Sequence, residues 1–339
     1  MPSTRQVLRL GIDAMGGDSA PASVLRSLRT ASDRHPDAQF HLYGDAAKLE
    51  SLVAELRLDA SSIEIYHFPR ALSASDGPRE LLNRDAPSSM AAAIMAQQRG
   101  ETDAVVSAGS TAALLALGKH HLQTFDKVER PAITSFIPTL RNETVLLDLG
   151  ANLNCSARHL SQFAAMGSAF SQSVLAIQEP RVSLLNVGSE REKGTEVLRD
   201  AANYIEQMPL PGKFQGFIEG NDLGKGEVDV IVTDGFTGNV ALKVMEGTAQ
   251  MISGYTHRSF TNSHTAKIGY FFASRQFRKL RKRLDPRRYN GAIMLGLNGI
   301  LVKSHGGADA LAFANAIDIA ADLVEHGVLE RMERYLSVD

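Results

Sequence analysis

The segment from Glu227 to Gly247, EVDVIVTDGFTGNVALKVMEG, restricts the fold more than any other stretch of the chain. Val228, Val230, Ile231 and Val232 are β-branched with almost no polar break, the pattern of a strand buried on both faces. The strand stops at Thr233-Asp234-Gly235. Thr237, Gly238 and Asn239 follow. A helix is predicted to open at Val240, because Val240, Ala241, Val244, Met245, Met251, Ile252 and Tyr255 recur at helical spacing. Such a strand, glycine-bearing loop and helix start attract anions, since unpaired N–H groups face the ligand and glycine lets it approach the backbone.

The same unit recurs along the chain. Strands are predicted at Val7–Asp13, Phe40–Tyr43, Ile63–Tyr66, Asp103–Val106, Ile133–Ile137, Thr144–Leu147, Val182–Leu185 and Ile300–Val302. Helices are predicted from about Pro21, over Ala46–Leu56, Ser88–Gln98 and Arg158–Gln178, up to Gln207, and over Asp309–His326, with a polar surface loop at Ser73–Pro87. This alternation predicts an α/β fold with a mostly parallel sheet flanked by helices. Residues 1–339 read as one continuous unit with two lobes around a cleft.

Apolar strands end in short polar glycine loops at Asp13, Ser107, Asp148, Asn186, Asp234 and Lys303. In a parallel sheet those loops share the carboxyl edge, where ligands of open α/β sheets bind, so a polar, anion-friendly cleft is expected there. The bland alternative is that Ser, Thr and Asn in these loops only cap the helices that follow. No phosphate-loop motif and no dinucleotide-binding glycine fingerprint is present, which disfavours a nucleotide.

Bulk composition excludes several classes. The net charge of −2 creates no global field for nucleic acid. Cys155 is the only cysteine, so no intrachain disulfide and no cysteine-based metal cluster can form. No run of about 20 apolar residues would span a bilayer, and the start carries no signal peptide pattern.

Residues 254–290 differ from the rest. They hold ten Lys and Arg against one acid, Asp285, a balance of +9 that leaves −11 for the remainder. Ile268, Tyr270, Phe271, Phe272, Phe277, Leu280 and Leu284 are interleaved. On one straight helix Ile268 and Phe272 would lie opposite Phe277 and Leu284, so a break near Ser274 is expected, giving two amphipathic pieces. The segment reads either as a solvated basic face beside a dimer contact or as a surface for an acidic protein or an anionic membrane. Nucleic acid is disfavoured by the acidic remainder.

Read in order, Asp13-Ala-Met-Gly-Gly-Asp18, Ser107-Ala-Gly109, Glu129-Arg-Pro131, Asp148-Leu-Gly-Ala-Asn152, Cys155, Asn186-Val-Gly188 with Lys193-Gly194, Asp234-Gly-Phe-Thr-Gly-Asn239, Tyr289-Asn-Gly291 and Lys303-Ser-His-Gly306 resemble the bacterial phosphate acyltransferase family over about residues 8 to 325. The chain departs from the family pattern at Ser110, Ala112 and Asn154. The resemblance implies a fold like phosphotransacetylase and the isopropylmalate dehydrogenases. It implies transfer of a long acyl chain from acyl-[acyl-carrier protein] to inorganic phosphate, giving acyl phosphate for phospholipid synthesis. It also implies a homodimer, no metal, no cofactor, a cytoplasmic location at the inner face of the cell membrane, and contact with the membrane-bound glycerol-3-phosphate acyltransferase that acts next.

Such a reaction needs phosphate held in line, a stabilised oxyanion and a leaving thiolate, without an enzyme nucleophile. Cys155 reads as a small buried hydrophobe rather than a nucleophile, because no histidine-paired motif surrounds it. Lys193, Lys303 and His305 are the candidates for charge stabilisation, with Asp234 a candidate proton acceptor. His305 reads equally as a turn histidine. The candidate phosphate cradle is Ser107, Gly109, Ser110, Thr111, Thr237, Gly238 and Asn239, with Asp13, Gly16, Gly17, Asn152, Asn186 and Gly188 completing the substrate-binding set. Phe271, Phe272, Arg275, Phe277, Arg278, Lys279, Arg281 and Lys282 are the candidates for membrane or carrier-protein contact. The competing readings are a coenzyme-A-dependent phosphate acyltransferase, a dehydrogenase on the related fold, and a membrane scaffold.

Overall fold

The computed structural model describes residues 7–73, 76–83, 86–261, 264–283, 285, 287 and 290–336. Eleven strands among them form one sheet: β1 (Arg9–Asp13), β2 (Gln39–Gly44), β3 (Ile63–His67), β4 (Ala104–Ser107), β5 (Ala132–Pro138), β6 (Glu143–Leu147), β7 (Arg181–Leu185), β8 (Lys213–Ile218), β9 (Val230–Val232), β10 (Ala292–Leu295) and β11 (Ile300–Lys303). The helices are α1 (Ala22–Arg34), α2 (Ala46–Leu56), α3 (Pro78–Leu81), α4 (Ser89–Gln98), α5 (Thr111–His121), α6 (Ala157–Val174), α7 (Glu196–Gln207), α8 (Gly235–Thr261), α9 (His264–Arg283), α10 (Ala310–Glu325) and α11 (Val328–Leu336).

The sheet order is β3-β2-β1-β4-β11-β10-β5-β6-β9-β7-β8. Seven of its ten pairings are parallel, so the sheet is mostly parallel and open, as the alternating pattern predicts. The apolar strand runs are continuous because both faces are covered. Val230 and Val232 pack into one core with α1, α6, α7, α10 and α11, while Ile231 between them packs into a second core with α4, α5 and α8.

The three antiparallel junctions are consecutive: β11 with β10, β10 with β5, and β5 with β6. They reverse the strand direction across the middle of the sheet. β1, β4 and β11 therefore run one way and β6, β7 and β9 the other. This corrects the expectation of one shared carboxyl edge. The Asp13, Ser107 and Lys303 loops leave one edge, here the upper rim, and the Asp148, Asn186 and Asp234 loops leave the opposite edge, the lower rim.

Other expectations also shift. Helix α8 opens at Gly235, five residues before Val240, because Asp234 rather than the glycines starts it. The polar stretch Ser73–Pro87 contains α3. Helix α9 runs unbroken through Ser274. It tolerates two apolar faces because one is used internally: Tyr270 and Phe277 pack on Phe260 of α8, with ring centroids 5.7 and 4.6 Å away. Phe271 and Phe272 are left on the outside, 74% and 81% exposed. No described helix is long and apolar enough to cross a membrane.

Candidate active site

At the upper rim, the end of β1 places Asp13 in the interior, 1% exposed. Its carboxylate is held by two hydroxyls: Ser107 Oγ donates to Oδ2 at 2.6 Å and Ser89 Oγ to Oδ1 at 2.6 Å. The Met15 N–H adds a longer bond at 3.3 Å. Burial raises the Asp13 pKa, and the hydrogen bonds from Ser107 and Ser89 oppose it. Ser107 Oγ in turn accepts the Gly109 N–H at 3.0 Å. This chain pulls the β1 and β4 loops together. Gly16 fits between them only without a side chain, since a Cβ would lie 2.4 Å from Asp13 Oδ2 and 2.7 Å from Gly109 N.

Lys303 ends β11 beside this network. Its amine donates to the carbonyls of Ala108, at 3.5 Å, and Ser304. Burial lowers its pKa to about 8, against the opposing charges of Asp13 and Asp18. The loop that follows is tied back on both sides: Ser304 N–H donates to Ser107 O at 2.9 Å, and Asp18 N–H to Gly306 O at 2.8 Å. Gly17, at φ +108, is among this interlock, with Gly306 O 3.1 Å from where its Cβ would sit. His305 is exposed, and its Nδ1 accepts the Gly307 N–H at 3.1 Å, so the neutral ring carries its proton on Nε2. Ser110 caps α5, accepting the Ala113 N–H, while Thr111 is exposed at the helix start.

The lower rim is built around Asp148, which is fully buried. Its oxygens accept from the N–H groups of Ile133, Gly150, Ala151 and Asn152 and from Asn152 Nδ2, at 2.7 to 3.2 Å. Burial raises its pKa and those donors oppose it. With every lone pair engaged, Asp148 is a structural hub and offers nothing to a ligand. Asn152 extends the hub, donating to Pro131 O at 2.8 Å and accepting Gly235 N–H on its carbonyl at 2.8 Å. Asp234 caps α8 by accepting from Thr237 N–H and Thr237 Oγ1 at 2.8 and 2.9 Å. Gly238 lies directly on the Asp148 carbonyl. Asn239 is exposed, and its side chain makes no hydrogen bond among the described residues.

Asn186 orders the β7 loop, donating to Lys193 O at 3.2 Å and accepting Val187 N–H at 2.8 Å. Lys193 stands in solvent beside Gly188, paired with Glu190 at 2.9 Å. Cys155 is half-buried and donates weakly to Asn152 O at 3.6 Å. Burial, then the charges of Asp148 and Asp234, push its thiol up to about 12, so it stays protonated at neutral pH and is no nucleophile.

The sequence-predicted residues thus fall into two sets. Asp13, Gly16, Gly17, Ser107, Gly109, Ser110, Thr111, Lys303 and His305 are brought together at the upper rim. Asn152, Asn186, Gly188, Lys193, Asp234, Thr237, Gly238 and Asn239 gather at the lower one. Of the peripheral set, Phe271, Phe272, Arg275 and Arg278 are exposed, Phe277 is inside the α8–α9 contact, and the side chains of Lys279, Arg281 and Lys282 lie outside the described residues. Tyr289 also lies outside them. Ser89 carries no site signal of its own in the sequence, since it simply follows the Ser88 cap at the start of α4; only its pairing with Asp13, 76 positions away, reveals the role. Chemically, the upper rim offers a recessed amine of lowered pKa beside glycine-lined backbone and the start of α5, a setting suited to an anion.

The chain matches the family model described as fatty acid synthesis protein over residues 8–331. It is 48% identical to a phosphate acyltransferase of Rhodospirillum centenum over 97% of this chain and 92% of that protein. It is 46% identical to a phosphate acyltransferase of Rhodospirillum rubrum over 96% of this chain and 93% of that protein. Among solved structures, the EutD phosphotransacetylase of Staphylococcus aureus aligns with a TM-score of 0.63 at 16% identity, over 94% of each chain. A 4-hydroxythreonine-4-phosphate dehydrogenase of Klebsiella pneumoniae aligns with a TM-score of 0.55 at 13% identity, over 96% of this chain and 99% of that one. These two likenesses establish the fold alone. The length and identity of the matches to the curated relatives settle the family: the chain is an enzyme that belongs to the phosphate acyltransferases.

Proposed function

We propose that this enzyme transfers a long-chain fatty acyl group from acyl-[acyl-carrier protein] to inorganic phosphate, releasing acyl phosphate for phosphatidic acid and phospholipid synthesis. A phosphate oxygen attacks the thioester carbon, a C–O bond forms, and the carbonyl electrons move onto oxygen. Collapse of that oxyanion breaks the C–S bond, and the carrier thiolate takes a proton as it leaves. Phosphate is partly a dianion near neutral pH, so positioning and charge stabilisation carry most of the catalysis.

The observation that carries this reading is the recessed Lys303 amine, wedged between the Ala108 and Ser304 carbonyls in a glycine-walled loop cluster. In this reading protonated Lys303 stabilises the oxyanion or supplies the thiolate's proton, and His305 Nε2–H is the second donor. Ser107, Gly109, Ser110 and Thr111 form the phosphate cradle, while Asp13, Gly16 and Gly17 shape it. At the lower rim Lys193, Gly188 and Asn239 take the carrier-linked end of the substrate, on a frame set by Asn152, Asn186, Asp234, Thr237 and Gly238.

The basic segment 254–290 docks the acidic carrier protein through Arg275 and Arg278 and touches the membrane through Phe271 and Phe272, holding the enzyme at the inner face of the cell membrane near its glycerol-3-phosphate acyltransferase partner. Along α8, Phe236, Val240, Val244, Met251, Ile252 and Tyr255 expose an apolar stripe that supports a homodimer. The test is to supply phosphate with acyl-carrier protein or with acyl-CoA and trap acyl phosphate as the hydroxamate. Faster turnover with the carrier protein supports the reading; turnover with acyl-CoA alone replaces it with the coenzyme-A-dependent alternative.

A further inference from the structure

We infer that Asn290 is a positioning residue for the acyl transfer: its side chain clamps the peptide unit that holds the Lys303 amine. Asn290 lies just before β10 and is half-buried. Its side chain makes three hydrogen bonds. Nδ2 donates to Ser304 Oγ at 2.8 Å and to Ala312 O at 2.7 Å, and Oδ1 accepts from His305 N–H at 2.9 Å.

The third bond matters most. His305 N–H and Ser304 C=O belong to one planar peptide unit, and in that unit the two groups point in opposite directions. Asn290 grips the N–H end, and Lys303 Nζ donates to the C=O end. Fixing one end therefore aims the other at the amine and polarises it. Were the unit to turn over, an N–H dipole would face the ammonium and repel it. The flanking ties, Ser304 N–H to Ser107 O and Asp18 N–H to Gly306 O, restrain the loop on either side but do not hold this peptide plane. Among the described residues, Asn290 is the side chain that holds its N–H end.

The inference rests on the proposed role of Lys303. Two variants separate positioning from support of the fold. Asn290→Ala removes all three bonds. Asn290→Asp keeps an acceptor for His305 N–H and loses the donor to Ser304 and Ala312. We expect Asn290→Ala to lower kcat for acyl phosphate formation about tenfold or more, with KM for phosphate changed by less than about threefold. Asn290→Asp should keep kcat within about threefold of the parent enzyme while lowering Tm. Asn315→Ala, which removes a neighbouring bond to Arg287 O, should leave kcat unchanged.

Titration of the Lys303 amine by nitrogen-15 NMR gives a readout independent of turnover: its midpoint should fall in Asn290→Ala, because the ammonium loses an oriented carbonyl acceptor. Should Asn290→Ala not accumulate folded, Asn290→Ser makes the same comparison. The inference is overturned by parent-like kcat and amine titration in the truncated variant, or by losses of kcat that follow Tm equally in both variants. Failure of the parent enzyme to make acyl phosphate would instead remove the proposed function, while the NMR comparison would still report on the clamp.

Discussion

Ser107 Oγ lies 2.6 Å from Asp13 Oδ2 and donates to it, joining the ends of β4 and β1 at the upper rim. With Ser89 on the other carboxylate oxygen, Asp13 faces its own protein and not a ligand. Its work is to hold two loops in register and to keep negative charge near Lys303.

Asp13→Asn should therefore act at a distance from the chemistry. The amide cannot accept from both serines, and leaving one buried hydroxyl unpaired costs about 1–3 kcal/mol. Asp13 is also the larger of the two charges that raise the Lys303 pKa, so its loss should move the Lys303 titration below about 8. Denaturant unfolding measures the first effect and a pH–rate profile the second.

Lys303→Met should lower kcat about a hundredfold to a thousandfold, the range expected for loss of one buried oxyanion donor. In the parent enzyme activity should fall as pH rises through about 8, where the ammonium is lost. Stability should move the other way. The folded state binds the Lys303 proton less tightly than the unfolded chain does, so between about 8 and 10.5 the unfolded chain carries the extra proton and stability rises with pH. Parallel activity and unfolding measurements across that window, in parent and Lys303→Met enzymes, read both signs at once.

Gly238→Ala should damage the lower rim severely. A Cβ there would lie 1.9 Å from Asp148 O and 3.0 Å from Thr233 Cγ2, and neither the backbone nor the buried Thr233 just after β9 can yield cheaply. A loss of about 3 kcal/mol or more is expected. Gly247→Ala, farther along α8 with open space at its Cβ position, should instead stabilise by about 0.5–1 kcal/mol. Urea midpoints of the two variants check the contrast.

The exposed rings of α9 carry the membrane reading. Phe271→Glu combined with Phe272→Glu should reduce flotation with anionic vesicles about tenfold, since two apolar groups are lost and two negative charges added. Unchanged flotation excludes lipid contact by these rings. Phe277 faces Phe260 instead, so Phe277→Glu should lower Tm.

Much of this organisation was legible in the residues. Val230–Val232 and Ala104–Ser107 announce buried strands by unbroken apolar runs, and Asp13, Ser107 and Lys303 mark where such strands end. Strand direction was not legible. It turns on an odd number of antiparallel junctions, β11–β10, β10–β5 and β5–β6, and the Ala-Ile-Met-Leu sequence of β10 carries no strong strand signature to announce two of them. β8 was hidden for a different reason: it is a half-exposed edge strand interrupted by Gly216 at φ +84. The break expected at Ser274 assumed that one helix needs a single apolar face, whereas α9 has a partner for one face and leaves the other outside. Site residues that act through distant partners, Ser89 on Asp13 and Asn290 on Ser304, emerge only once the chain is folded.

Phosphate held at this site should attack the acyl thioester directly. A rapid-quench single turnover with fatty acyl-carrier protein and phosphate bearing oxygen-18 at all four positions tests it. Direct attack yields acyl phosphate carrying all four labels, free carrier thiol, and no acyl group attached to the enzyme at any time. Acyl-enzyme that forms and decays on the path to product, or hydrolysis to fatty acid without any acyl phosphate, would contradict it.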